Sequence, residues 1–197
     1  MKAFSKNKIL SIGVDVGSTN GAISVVSEDL KILLLTKAPT YQTIIKSRRN
    51  KSKLNKETKK FEKDYRKRNW VNFKEVGNML RPFRNNRIIY SIEKIITKPD
   101  EGENSSFKNG NSLGVFQGMY ALLEPEEYYE PTPQEWKKDM GVTSDKNTSI
   151  ELAESLFKVN LKEYVAKGKV DDIAEALLLS FYGLRQHFMN NKGEING

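Results

Sequence analysis

The chain has 197 residues, of which 38% are hydrophobic and 29% charged, and it carries a formal net charge of +8. This size and polarity predict a single globular domain over residues 1–197, and no apolar run approaches the length of a membrane span. The chain has no cysteine and one histidine, His187, which excludes disulfides, thiol catalysis and a histidine-rich zinc site. No secretion signal is recognised at the N-terminus, so we expect a cytoplasmic protein.

The first predicted elements are three strands. Two apolar runs, Ile9 to Val16 and Ala22 to Val26, flank a turn sequence from Gly17 to Gly21. This composition predicts an antiparallel hairpin, and a third apolar run, Lys31 to Thr36, extends it into a meander. The first run contains one acid, Asp15, and burying a lone carboxylate is costly. We therefore interpret Asp15 as a site residue at the strand end, although an acid that caps the turn is the simpler alternative.

A basic segment comes next, with twelve basic and three acidic residues between positions 46 and 68. The rest of the chain is close to neutral, so the positive charge is concentrated in one patch and predicts a polyanionic partner. A thin apolar stripe at helical spacing, without proline or glycine, favours a basic helical insertion at about 41–69, with a solvated helix that binds nothing as the alternative. The candidate DNA-binding residues in it are Lys46, Arg48, Arg49, Lys51, Lys53, Lys56, Lys59, Lys60, Lys63, Arg66, Lys67 and Arg68.

A helix over Phe73 to Leu80 precedes a fourth apolar run, Arg87 to Ile96, which again contains one acid, Glu93. A helical crossover places this fourth strand parallel to the first and beside it, so Asp15 and Glu93 should lie at the same end of adjacent strands. The stretch from Thr97 to Asn111 is rich in glycine, asparagine and serine, and we interpret it as a loop beside Glu93.

The last predicted helix begins near Val170 and is strongly apolar after its first turn, so it should pack on the sheet. Asp172 and Glu175 share one face of it. The helix dipole explains Asp172, but it explains Glu175 less well because that residue lies among apolar neighbours. Together with Asp15 and Glu93 these acids form a set of oxygen ligands suited to Mg²⁺ or Mn²⁺. Two such ions would support phosphodiester cleavage, and the basic patch makes nucleic acid the expected substrate.

These features, in this order, resemble the RuvC-type Holliday junction resolvases of the RNase H-like superfamily. The resemblance rests on five segments, none of which is specific alone. They are the Asp15 to Gly21 hairpin, the SIEKI strand around Glu93, the small-residue helix from Asn111 to Gly118, the Pro133 to Gly141 run followed by Asp145-Lys146, and DIAEALLL from Asp172 to Leu179.

The resemblance implies an RNase H-like α/β fold with a five-stranded mixed sheet, in which strands one to three are antiparallel, strands four and five are parallel to the first, and helices cover both faces. It implies an endonuclease of DNA recombination and repair that resolves four-way junctions and other branched DNA as a homodimer. Two Mg²⁺ ions, for which Mn²⁺ can substitute, would be held by Asp15, Glu93, Asp172 and Glu175. Lys138 and Lys146 match family lysines near the scissile phosphate, and Lys137 is a neighbouring DNA-binding candidate.

Two departures from the family pattern stand out. The fourth acid, Glu175, replaces an aspartate, and Ile96 stands where the family often has an aromatic residue that stacks at the junction. The basic segment resembles an insertion in bacteriophage versions of these enzymes.

Two other classes are weighed against this reading. The Asp-x-Gly-Ser-Thr sequence between two strands also resembles the phosphate loop of actin and sugar-kinase ATPases, but 197 residues leave no room for the second lobe. A catalytically weak or inactive DNA-binding protein with this fold is the other alternative, and four retained carboxylates argue against it because unused buried acids only lower stability.

Overall fold

The computed structural model describes residues 8–17, 21–46, 53–54, 61–62, 65–96, 102–165 and 170–191. A five-stranded sheet lies at its centre, with helices packed on both faces. In chain order the elements are β1 (Ile9–Asp15), β2 (Ala22–Ser27), β3 (Ile32–Lys37), β4 (Thr40–Lys46), β5 (Lys53–Leu54), β6 (Phe61–Glu62), β7 (Tyr65–Val71), α1 (Phe73–Leu80), β8 (Arg87–Ile92), α2 (Glu103–Leu123), β9 (Glu127–Tyr129), α3 (Pro133–Met140), α4 (Lys146–Phe157) and α5 (Asp171–Asn191).

The strand order in the central sheet is β3-β2-β1-β8-β9. Strands β1, β2 and β3 pair in antiparallel fashion, whereas β8 runs parallel to β1 and β9 runs parallel to β8. The helical connection through α1 therefore brings β8 to the free edge of β1, because a parallel neighbour requires a crossover. The predicted mixed five-stranded sheet with helices on both faces is confirmed.

Alternation along the strands divides the core into two layers. Leu10, Ile12 and Val14 belong to the layer that contains residues of α1 and α2, while Ile9 belongs to the layer formed with α3, α4 and α5. Because side chains of a strand point alternately to opposite faces, Asp15 has the same orientation as Ile9 and therefore lies on the α5 side of the sheet.

Helix α5 packs unusually close to the sheet because glycine and serine line the contact. A Cβ atom on Gly13 would come within 3.0 Å of the Ala176 carbonyl oxygen and of the Ser180 backbone nitrogen. The Ser24 hydroxyl donates a 2.8 Å hydrogen bond to the same Ala176 carbonyl and contacts the Ser180 hydroxyl. This close approach places the first turn of α5 at the end of β1.

The predicted basic helix is wrong in the part of the segment that the structure describes. Strands β4 and β7 pair as an antiparallel ladder from Thr40↔Val71 to Lys46↔Tyr65, and β5 pairs with β6. The β-branched residues Thr43, Ile44 and Ile45 favour a strand, and this signal outweighs the thin helical stripe. Of the candidate DNA-binding residues here, Arg48, Arg49, Lys51, Lys56, Lys59, Lys60 and Lys63 lie outside the described residues.

One further expectation is corrected. The described part of the predicted loop, from Glu103 onwards, is the first half of helix α2, which packing of Phe116 and Leu123 against the sheet stabilises despite weak helix propensity. His187, the one histidine of the chain, is 6% exposed and pairs with Glu127 on the edge strand β9. Over the described ranges, the helices include none with the length and apolar character needed to cross a bilayer.

Candidate active site

The candidate site lies where β1 and β8 end, on the sheet face covered by α5. The parallel ladder continues past β8, since the Glu93 amide donates a 3.0 Å hydrogen bond to the Val14 carbonyl oxygen. Ile89 and Glu93 share one face of their strand, as do Ile9 and Asp15 on the neighbouring one. The two acids, predicted to lie at the same end of adjacent strands, are therefore neighbours beneath the first turn of α5.

The same row of the sheet contains a lysine. Asp15 is the ladder partner of Ala22, and Ala22 is the ladder partner of Lys37 on β3. Ala22 is fully buried and belongs to the core layer that contains α5. The sheet end thus presents an ordered row of Glu93, Asp15, Ala22 and Lys37.

Each acid of α5 forms an ion pair with a lysine from another element. The Lys37 ammonium group lies 3.1 Å from Asp172 Oδ2, and the Lys137 ammonium group of α3 lies 2.8 Å from Glu175 Oε1. These carboxylates are mostly enclosed, with 13% of the Asp172 side chain and 14% of the Glu175 side chain exposed. Charge pairing at such positions offsets the cost of removing carboxylates from water.

Trp136 of α3 contacts Glu93. Its side chain is fully buried, and its indole nitrogen donates a 2.8 Å hydrogen bond to Glu93 Oε2. Helix α3 begins with a capping box in which Thr132 and Glu135 satisfy each other's backbone amides, and this fixes the first turn that carries Trp136. The neighbouring Lys137 ammonium group lies 5.1 Å from the Trp136 ring centroid.

The electrostatics of the site show that the carboxylates repel each other. Burial raises the pKa of Asp15 well above its usual value, and Glu93, Glu175 and Asp172 raise it further, against a smaller opposing effect of Lys137. Burial also raises the pKa of Glu93, to which Glu175 adds while the Trp136 hydrogen bond opposes it.

Asp172 behaves in the same way. Burial and Asp171 raise its pKa, and the Lys37 hydrogen bond opposes them. Four carboxyl groups thus lie close together beside Lys37 and Lys137, and a bound cation would relieve the repulsion among them.

The donor chemistry fits a hard divalent cation, since all four acids offer carboxylate oxygens and their repulsion favours a positive charge among them. Among the described residues, however, no three acidic or histidine side chains converge as a metal-binding group. Asp172, Glu175 and Glu93 are instead engaged by Lys37, Lys137 and Trp136. Their side chains would have to change partners to bind a shared cation.

The other predicted lysines have different environments. Lys146, the first residue of α4, forms an ion pair with the buried Asp171, and this contact raises the pKa of Lys146. Lys138 is exposed, and within the described ranges it forms no ion pair. Of the predicted lysines, Lys137 therefore contacts the carboxylate cluster directly, whereas Lys146 contacts Asp171, the residue before Asp172 on α5.

The base of the β4–β7 hairpin forms a surface with the start of α2. Arg68 donates a 2.6 Å hydrogen bond to Asn104 Oδ1, and the rings of Trp70 and Phe107 meet edge to face at 5.9 Å. Lys67, on the opposite face of β7, is exposed. Basic and aromatic side chains thus lie together here, as they do on surfaces that bind single-stranded nucleic acid.

Sequence reasoning missed Lys37, Trp136 and Asp171 as parts of the site. Lys37 carried a usable signal, because the strand pattern alone places it in one row with Asp15. No sequence pattern indicates Trp136, since its contact with Glu93 depends on how α3 packs against the sheet and α5.

Comparisons with known proteins bear on the fold. No family model and no curated protein matches the sequence. Two solved structures are similar in fold across nearly the whole length of both chains. The structure of T. thermophilus RuvC in complex with a Holliday junction substrate has a TM-score of 0.57 at 14% identity and covers 92% of this chain and 96% of its own. The Thermus thermophilus RuvC structure has a TM-score of 0.51 at 13% identity and covers 90% of this chain and 96% of its own. The likeness shows that the chain has a RuvC-like fold.

Proposed function

We propose that this chain is a metal-dependent endonuclease that cleaves branched DNA, with four-way junctions as its principal substrate. One observation carries the proposal: Asp15 and Glu93, at the ends of two adjacent parallel strands, lie beneath Asp172 and Glu175 on α5, and the other three carboxylates raise the pKa of Asp15. The RuvC-like fold and the junction-bound state of one RuvC structure support the choice of substrate.

In this proposal Asp15, Glu93, Asp172 and Glu175 hold two Mg²⁺ ions, for which Mn²⁺ can substitute. The bound cations supply stabilisation of the phosphate charge and activation of water for phosphodiester hydrolysis. Trp136 keeps Glu93 oriented towards Asp15, and Lys137 keeps Glu175 near the end of α3. Lys146 and Lys138, at the rim, offset the charge of the approaching phosphates.

In this proposal the basic segment binds the DNA arms through their phosphates rather than their bases. Lysine and arginine side chains that contact phosphates recognise charge and carry no sequence information. Of the described part, Lys67, Arg68 and the Trp70–Phe107 pair form the base of this interface. The hairpin form of the segment supports a projecting arm that follows a DNA strand.

Symmetric cleavage of a junction requires two active sites, so we propose a homodimer. The exposed face of α2 supports it. Gly110, Gly114 and Gly118 recur every four residues along this face, and a Cβ atom on any of them would have no neighbour within 4 Å. Each exposed glycine lowers helix stability by roughly 0.5–1 kcal/mol relative to alanine. With the exposed Leu122 beside them, they offer a surface on which a second helix can approach closely.

A DNA-binding protein without cleavage activity is the second candidate, and a specific observation favours it. Lys37 and Lys137 occupy carboxylate oxygens that a cation would need. Incubation of the protein with a four-way junction in Mg²⁺ separates the two candidates, because only the nuclease converts the junction into nicked duplex products.

A further inference from the structure

The ammonium group of Lys37 lies inside the proposed metal site. It is 3.1 Å from Asp172 Oδ2, and 30% of the Lys37 side chain is exposed. The position is fixed by the sheet, since Lys37 ends β3 and is one ladder step from Ala22 and two from Asp15. From this register the lysine side chain reaches Asp172 in the first turn of α5.

Three lysines form ion pairs with acids of α5, and each lysine pairs with a different acid. Lys137 pairs with Glu175 and Lys146 pairs with Asp171, so among the described residues Lys37 is the ion-pair partner of Asp172. Asp172 also lies next to the negative charges of Asp171 and Asp15. Without Lys37, this mostly enclosed carboxylate would face the negative charges of Asp171 and Asp15 against the weaker opposing effect of Lys146, which is unfavourable in a poorly solvated site.

We propose that Lys37 is a positioning residue that neutralises Asp172 in the cation-free protein and competes with a divalent cation for this carboxylate. The inference rests on the proposed function, because it takes Asp172 as a metal ligand. A divalent cation would then replace Lys37 as the partner of Asp172 rather than occupy a preformed site.

The test is Mn²⁺ titration, followed by the electron paramagnetic resonance of the free ion, on the wild type and on Lys37→Met, Lys37→Arg and Lys31→Met. We expect Lys37→Met to lower the Mn²⁺ dissociation constant by about ten-fold, since a positive charge close to the cation is removed. Lys37→Arg keeps the charge and should stay close to the wild type. Lys31→Met is the matched control, because Lys31 pairs with Asp29 outside the site and its loss should change the constant by about two-fold or less.

A second readout does not depend on metal. In the presence of a chelator, Lys37→Met should lower the melting temperature, and adding Asp172→Asn to it should restore part of the loss, because the uncompensated carboxylate is then neutral. The double variant also serves if Lys37→Met alone folds poorly. Independent effects of the two substitutions would show that the pair is not coupled and would overturn the inference.

The outcomes also separate this inference from the proposed function. A wild type that binds no Mn²⁺ overturns both. A wild type that binds Mn²⁺, with an affinity that Lys37→Met leaves unchanged or weakens, overturns the role of Lys37 and leaves the proposed nuclease standing.

Discussion

Gly183 of α5 lies directly against Ser91 of β8. A Cβ atom on Gly183 would come within 3.0 Å of the Ser91 hydroxyl oxygen, and it would also crowd Ile89 and Ser11. Ser91 is fully buried, so it has no free space into which it can move. The pair sets the distance between α5 and the sheet, and that distance brings Asp172 and Glu175 to the row that contains Asp15 and Glu93.

The first prediction concerns this contact. Gly183→Ala should destabilise the protein by about 1–3 kcal/mol, because the added methyl group overpacks a rigid core. Gly77→Ala is the control, since its Cβ would meet Met119 at an ordinary 3.7 Å within a helix. Urea unfolding measures both. A Gly183→Ala protein as stable as Gly77→Ala would mean that α5 does not depend on glycine at this point.

The second prediction concerns charge in the site. Burial and three other carboxylates raise the pKa of Asp15 in the folded protein, so the folded state binds this proton more tightly than the unfolded state. The protonated form of Asp15 therefore stabilises the folded protein. This stabilisation is complete below the pKa that Asp15 has in the unfolded chain, and it is lost as the pH rises through the pKa of Asp15 in the folded protein. In chelator at pH 7, Asp15→Asn should unfold at a higher urea concentration than the wild type, and the gap should close towards pH 3.5.

Asp29→Asn is the control for that experiment. Asp29 is paired with Lys31, and hydrogen bonds from Lys31 and Ser27 lower its pKa, so its ionised form favours folding. Its neutralisation should bring no gain at pH 7. An equal gain for both variants would show that net charge, and not the carboxylate cluster, sets the response.

The third prediction concerns the basic segment. Replacement of four of its basic residues by glutamine should weaken DNA binding for every sequence and reduce the slope of log affinity against log salt by about four, roughly one per lost phosphate contact. Fluorescence anisotropy at several salt concentrations measures this slope. The four residues are Lys59, Lys60, Arg66 and Arg68.

A control with the same loss of charge uses exposed lysines on other elements. If its slope falls as much as that of the segment variant, DNA binding follows total charge and the segment has no special role. The control residues are Lys31, Lys74, Lys158 and Lys162.

The fourth prediction concerns the proposed dimer. Gly114→Leu should convert dimers into monomers in analytical ultracentrifugation without lowering the melting temperature of the monomer, because leucine favours the helix but blocks close approach. Ser155→Leu, an exposed change on α4, is the control and should leave the assembly unchanged. Persistence of the dimer in Gly114→Leu would place the interface elsewhere.

The central sheet and the neighbouring acids could be predicted from the sequence because both follow from the pattern of short segments and their order in the chain. Apolar runs bounded by turn residues assigned Asp15 and Glu93 to strands, and one crossover helix was enough to make those strands parallel neighbours. The β4–β7 hairpin was missed because its ladder pairs Thr43 with Arg68 across a long connection, which no local window detects. The contact of Trp136 with Glu93 was missed for the same reason.

Cleavage of a four-way DNA junction in Mg²⁺ tests the central claim most directly. The wild type should convert the junction into nicked duplexes, while Asp15→Asn should lose activity by at least about a hundred-fold with its fold intact, since a carboxylate at the centre of the site is removed. Asp29→Asn, which changes an equal charge away from the site, should cleave like the wild type. Equal cleavage by the wild type and Asp15→Asn, or no cleavage by either in Mg²⁺ or Mn²⁺, would contradict the account.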